Sequence, residues 1–188
     1  MEYSKTAIRL LQSMISTPSF SKEEEQVADL LETFLISRNI RIERFQNNLL
    51  AIPFHYDKRK SNILLNSHID TVKPNSGYTQ DPFDPIIQDG KLYGLGSNDA
   101  GASLVALIMC FLHYEKIEDL PFNLILGISA EEEISGRNGM ELLLQNMPKI
   151  EMAIVGEPTQ LRMAIEERGL MVIDAIAEGI AGHAARNE

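Results

Sequence analysis

Apolar positions along the first third of the chain recur at helical spacing and then at strand spacing. Ile8, Leu10, Leu11, Met14 and Ile15 form a stripe that ends at Thr17-Pro18, which predicts a first helix. Ser21 followed by Glu24 has the form of a capping box, opening a second helix with Val27, Leu30, Leu31, Phe34 and Leu35 on its apolar face. Ile40, Ile42 and Phe45 read as extended, Asn47-Asn48 as a turn, Leu49 to Phe54 as a second strand, and His55 to Ser61 as a polar loop.

The pattern then changes. Ile63-Leu64-Leu65, Leu124-Ile125-Leu126 and Ala153-Ile154-Val155 are short and fully apolar, as strands buried on both faces of a parallel sheet are. Ala102 to Tyr114 and Met140 to Asn146 supply helical crossovers between them. The fold class that follows is α/β, a mostly parallel mixed sheet covered by helices, with no internal repeat or low-complexity tract.

Composition narrows the functions. With 17 basic and 27 acidic side chains the formal net charge is −10, which argues against a nucleic-acid partner. One cysteine excludes an internal disulfide and a Cys-rich zinc module, and fits a reducing compartment. The first residues lack the basic start and apolar run of a secretory signal, and no apolar stretch reaches about 18 residues. The expectation is a cytoplasmic protein without a membrane span.

Each apolar run leads into groups that bind metals. The first is followed by His68 and Asp70, the second by Glu131-Glu132-Glu133, the third by Glu157. Ligands of open α/β sheets bind beyond the carboxyl ends of the strands, so three strand ends would share one crevice. Asp70, two residues from His68, faces the same side of a strand and can orient its imidazole. An isolated His-x-Asp is more often a solvated strand end. Asp99, in Gly94-Leu95-Gly96-Ser97-Asn98-Asp99, stands where a dinucleotide loop would need its third glycine, and helix cap and ligand are equally open for it. Three acids in a row are usually a solvated face. Here they follow an apolar strand, and in an extended segment neighbouring carboxylates point different ways, so one can ligate while the next collects a proton. Glu157 alone reads equally as a turn residue. One imidazole with several carboxylates is a donor set for zinc or a similar dication, and without a cation these acids would repel one another. His55, His113 and Cys110 read as structural or solvated.

Leu64 to Val72, the Gly-x-Gly-x-x-Asp ending at Asp99, Glu132-Glu133 and Gly156-Glu157-Pro158-Thr159 together resemble the M20 metallopeptidase family, with its acetylornithine deacetylases, succinyl-diaminopimelate desuccinylases, aminoacylases and carboxypeptidases. The resemblance implies two divalent metal ions, zinc or alternatively cobalt. His68 and Glu157 would bind the first, Glu133 the second, and Asp99 would bridge them. Asp70 would support His68, and Glu132 would be the general base. Gly182-His183-Ala184 resembles the lid motif whose histidine reaches across a homodimer to a developing oxyanion.

The implied organisation is residues 1–166 as the N-terminal part of the catalytic domain and 167–188 as the beginning of an α+β lid or dimerisation domain. The family's returning half, with the second metal's remaining histidine, would lie beyond Glu188. The implied reaction is hydrolysis of an N-acyl amino acid, acetylornithine deacetylase-like first, with desuccinylase and dipeptidase as alternatives. A non-catalytic metal-binding protein on the same fold is a further alternative. Leu95, Gly101 and Asn187 depart from Arg, Lys and Pro at these positions in many members, which bears on substrate contacts and subfamily more than on metal ligands.

Overall fold

In the computed structural model, which describes residues 2–166, 169 and 173, a five-stranded sheet carries helices on both faces. His183 and nearly all of the anticipated lid segment lie outside the described residues. The elements are α1 Glu2–Ile15, α2 Glu25–Ile36, β1 Ile42–Phe45, β2 Asn48–Ala51, β3 Ser61–His68, β4 Ile87–Gln88 and β5 Lys91–Leu92. They continue as α3 Ser103–Tyr114, β6 Phe122–Ser129, α4 Leu142–Gln145 and β7 Met152–Val155. The large sheet runs β1-β2-β6-β3-β7, with β3 parallel to both β6 and β7, while β2 joins β6 antiparallel and β4 pairs with β5 in a separate two-stranded sheet.

Strand alternation divides the core. Leu65, Leu124, Leu126 and Leu49 face one way, onto Leu11, Ile15, Leu31, Leu35, Leu104 and Ile108 of α1, α2 and α3. Leu64, Ile125 and Leu50 face the other way, onto Leu143 of α4. Leu31, Leu35, Leu104 and Ile108 are wholly buried. Each contributes roughly 1.5–3 kcal/mol over exposure.

Three local expectations fail for physical reasons. Ser21 and Glu24 do not form a capping box: α2 begins at Glu25 with no side-chain cap, and both side chains are bonded elsewhere in the fold. The hairpin turn is Gln46-Asn47, because Asn48 is wanted inside, where its amide donates to the carbonyls of Phe45 and Asn138 and accepts from the Ala130 N–H. The third apolar run is not buried on both faces. Among the described residues β7 is bonded to β3 alone, and its Ile154 and Val155 are 45% and 56% exposed.

The chain divides into two units, Met1–Pro158 and Thr159–Glu188. The described part of the second holds a turn in which the Arg162 N–H donates to the Thr159 carbonyl. Among the described residues no helix is long and apolar enough to cross a membrane.

Candidate metal centre

The site grows from strand register. His68, the last residue of β3, lies opposite Ser129, the last of β6, and Asn66 lies opposite Val155, the last of β7. The segments that follow these strands therefore emerge side by side. The Ser67 hydroxyl donates to the Gly156 carbonyl at 2.8 Å, which fixes the chain just before Glu157. Asp99 arrives from the helical turn ahead of α3, where Gly96 adopts a left-handed φ of 70°. A Cβ on Gly96 would press on the Thr71 side chain, and one on Gly101 would meet the Gly96 carbonyl and Leu11, so Gly101 is required by close approach in this chain.

The His68 ring is buried. Its Nδ1 lies 2.9 Å from the Asp70 carbonyl oxygen and 3.4 Å from Asp70 Oδ1, so Nδ1 carries a proton and donates. Its Nε2 faces the acids, 3.2 Å from Asp99, 3.8 Å from Glu157 and 3.9 Å from Glu132. Burial pushes the imidazole down, but Asp70 first, then Glu157 and Glu132, outweigh it and raise His68 to about 9.

Asp70 reaches His68, yet its carboxylate does more elsewhere. It accepts from Ser21 Oγ at 2.7 Å and from the backbone N–H groups of Glu132 at 3.0 Å and Glu133 at 3.1 Å. Burial would raise its pKa, and these bonds together with His68 hold it below the ordinary carboxylate range.

The acidic run is not extended. Glu132–Ile134 is a single tight helical turn between Glu131 and Ser135, both left-handed at φ 54° and 49°. The structure divides the run in its own way. Glu131 is buried and accepts from the Asn138 backbone and side-chain amides, while Glu132 and Glu133 lie beside His68. Asp99 is no helix cap, because its side chain makes no capping bond and approaches His68 instead.

Donor atoms of His68, Asp99 and Glu133 all lie within 4.8 Å of one another, with Glu157 also at His68. Among the described residues no lysine or arginine pairs with Asp99, Glu132, Glu133 or Glu157. Burial raises the Glu133 and Glu157 pKa values, and neighbouring acids raise them further against the pull of His68. An oxygen-rich donor set with one imidazole, strained by its own negative charge, fits divalent cations. His55 meets Phe54 edge to face, His113 meets Tyr3 and Tyr114 in the same way, and Cys110 packs at the core.

Sequence reasoning missed Glu24 and Asn138, which bond to Glu131 of the acidic turn, and Ser21, which bonds to Asp70. Ser21 and Glu24 carried a local signal, but it pointed to a cap, and Asn138 carried none.

Residues 64–168 match the profile described as peptidase family M20/M25/M40. The chain is 30% identical to a succinyl-diaminopimelate desuccinylase of Wolinella succinogenes over 96% of its own length and 51% of that relative. It thus spans about half the length of the curated relatives it matches. Its fold is similar to that of the M20 family metallo-carboxypeptidase Sso-CP2 from Sulfolobus solfataricus, with a TM-score of 0.65 at 22% identity, over 83% of this chain and 37% of that one. It is similar also to YXEP of Bacillus subtilis, described as a dinuclear metal binding peptidase from M20 family, with a TM-score of 0.61 at 17% identity, over 82% of this chain and 42% of that one. Profile, relatives and fold agree, and the chain belongs to the peptidase family M20/M25/M40.

Proposed function

We propose that this chain carries the metal-binding and proton-transfer groups of a hydrolase that cleaves the amide bond of an N-acyl amino acid. The convergence of His68, Asp99 and Glu133 donors at adjacent strand ends carries the reading. Two divalent ions, zinc in the first instance and cobalt as the alternative, would be held by His68, Asp99 and Glu157 and by Asp99 and Glu133, with Asp99 shared. When bound, such ions supply Lewis acidity for the scissile carbonyl and for water.

The chain's own residues supply the rest. Asp70 holds His68 with Nδ1 protonated, so Nε2 keeps its lone pair for a cation once the second proton leaves. Glu132 lies outside the three-donor group, about half exposed and 3.9 Å from His68 Nε2. That leaves its carboxylate free to take a proton from attacking water and return it to the departing amine. Such general acid–base transfer contributes typically about 10²–10⁴-fold.

The relatives named succinyl-diaminopimelate desuccinylases favour an N-succinyl substrate first, with N-acetylornithine and dipeptides next. The whole protein would be a cytoplasmic homodimer in which His183 assists a neighbouring subunit. The test is a panel of N-succinyl, N-acetyl and dipeptide substrates on the full-length protein with and without zinc. Zinc-dependent release of the free amine from one class supports the reading. Zinc binding without turnover of any would favour a non-catalytic metal-binding protein.

A further inference from the structure

Ser21 and Glu24 have the sequence form of a helix cap, and neither caps a helix. The Glu24 side chain reaches the acidic turn instead, and the Ser21 side chain reaches Asp70. Three consecutive backbone N–H groups of that turn are received by two buried carboxylates. Glu131 donates to Glu24 Oε1 at 3.2 Å, Glu132 to Asp70 Oδ1 at 3.0 Å and Glu133 to Asp70 Oδ2 at 3.1 Å. Glu24 is 0% exposed and Asp70 1%.

We propose that the Ser21–Glu24 segment is a positioning clamp for the acidic turn, holding Glu132 and Glu133 beside His68 through the carboxylates of Glu24 and Asp70. This rests on the metal-site reading above. The turn's own backbone bonds, from the Ser135 N–H to the Glu132 carbonyl at 2.9 Å and from the Gly136 N–H to the Glu131 carbonyl at 2.8 Å, close one helical turn bounded by two non-glycine residues in left-handed conformation, a short element that gains from outside support. The clamp is anchored on its other side. Glu24 accepts from the Lys22 N–H at 2.7 Å and from Asn47 Nδ2 at 2.9 Å, and Ser21 Oγ donates to Asp70 Oδ2 at 2.7 Å. The Thr71 N–H donates to the Ser19 carbonyl at 2.8 Å, and Phe20 bridges to Thr71, which ties the segment to the chain leaving β3. Neither Ser21 nor Glu24 bonds to Asp99, Glu157 or the His68 ring among the described residues. They act on the cluster only through the backbone of the turn and through Asp70.

Three substitutions test it. Glu24→Leu keeps the bulk and removes the acceptors. Glu24→Gln keeps one acceptor for the Lys22 and Glu131 N–H groups, and its own NH2 can meet an Asn47 amide that has turned over. Ser21→Ala removes one donor from Asp70 Oδ2, and it reads the clamp at Glu132 and Glu133 should the leucine variant not fold. The first measurement is amide hydrogen exchange on the metal-free chain. Glu24→Leu should speed exchange at Glu131 to Glu133 by about tenfold or more, as loss of a buried acceptor does, while Leu65 and Leu126 in the sheet stay unchanged. Glu24→Gln should restore protection. The second measurement is zinc titration, where loosening the turn should weaken one of two equivalents about tenfold and leave the other.

Uniform acceleration across the sheet, or none at the turn, would overturn the clamp. So would a loosened turn that still binds both zinc ions at unchanged affinity. If the unsubstituted chain binds no zinc, the metal reading falls, and the exchange measurement still decides whether the segment holds the turn.

Discussion

Protons and metal ions must compete for His68, and the structure gives the size of that competition. In the metal-free chain the imidazole is held at about 9 against an ordinary 6.5, and its side chain is 1% exposed, so solvent screens it little. The difference corresponds to about 3 kcal/mol of preference for the protonated folded state. Because the folded-state pKa lies above the unfolded one, this stabilisation is complete below about pH 6.5 and is lost as pH rises through about 9. The metal-free chain should therefore resist urea better at about pH 6 than at about pH 10. Zinc needs the Nε2 lone pair, so near pH 7.5 its uptake should release close to one proton from His68, and apparent affinity should rise about tenfold per pH unit up to about 9. Calorimetry in two buffers of different ionisation enthalpy counts that proton. Asp70→Asn removes the largest upward influence on His68, so it should cut proton release and flatten the pH dependence. Zinc affinity that does not change between about pH 6.5 and 8.5, or a metal-free chain stabler in alkali than at about pH 6, would refute the reasoning.

Other substitutions separate the roles assigned above. Glu132→Gln should cut turnover of the full-length protein by about 10²-fold or more while zinc content by elemental analysis stays near that of the parent, whereas Asp99→Asn should deplete both ions. Loss of a full zinc equivalent in Glu132→Gln, with none lost in Glu133→Gln, would shift the register by one residue. Gly139→Ala should destabilise the chain by about 1–3 kcal/mol in urea unfolding, because its Cβ would collide with the Ala130 carbonyl oxygen, which is backbone and has little freedom to move. Leu31→Ala, at a wholly buried position of α2, should cost about 2–5 kcal/mol in the same assay and leave zinc binding intact.

The sheet was largely legible because β3 and β6 announce themselves by apolar runs that the core of an α/β layer demands. β7 shows the limit of that signal: its Ile154 and Val155 are as apolar as Leu64 and Leu65, but among the described residues β7 pairs with β3 alone and both stay exposed. That the side chains of the metal cluster share one crevice was legible for a related reason. His68, Glu132, Glu133 and Glu157 follow strand ends, and parallel register places those ends together. What holds them was not legible. Asp70 was read as a partner of His68, yet two of its bonds go to the backbone of a turn sixty-odd residues away. Glu24 spans a still longer separation to Glu131. Local rules assign Ser21 and Glu24 to the nearest helix because a cap is the commonest use of such a pair, and only tertiary structure reveals that the acceptors are spent elsewhere. The acidic run itself was read as extended from its strand, whereas the left-handed Glu131 and Ser135 fold it into a turn that buries the first acid and leaves the next two beside His68.

The most direct measurement is a crystal structure of the zinc-loaded chain with anomalous data collected on both sides of the zinc edge. Two anomalous peaks should lie in the crevice at the ends of β3, β6 and β7, one against His68 and Glu157 and the other against Glu133, with Asp99 touching both and Glu132 bound to neither. A peak that leaves out His68 and Asp99, or no peak in that crevice at saturating zinc, would contradict the assignment of these residues as a metal centre.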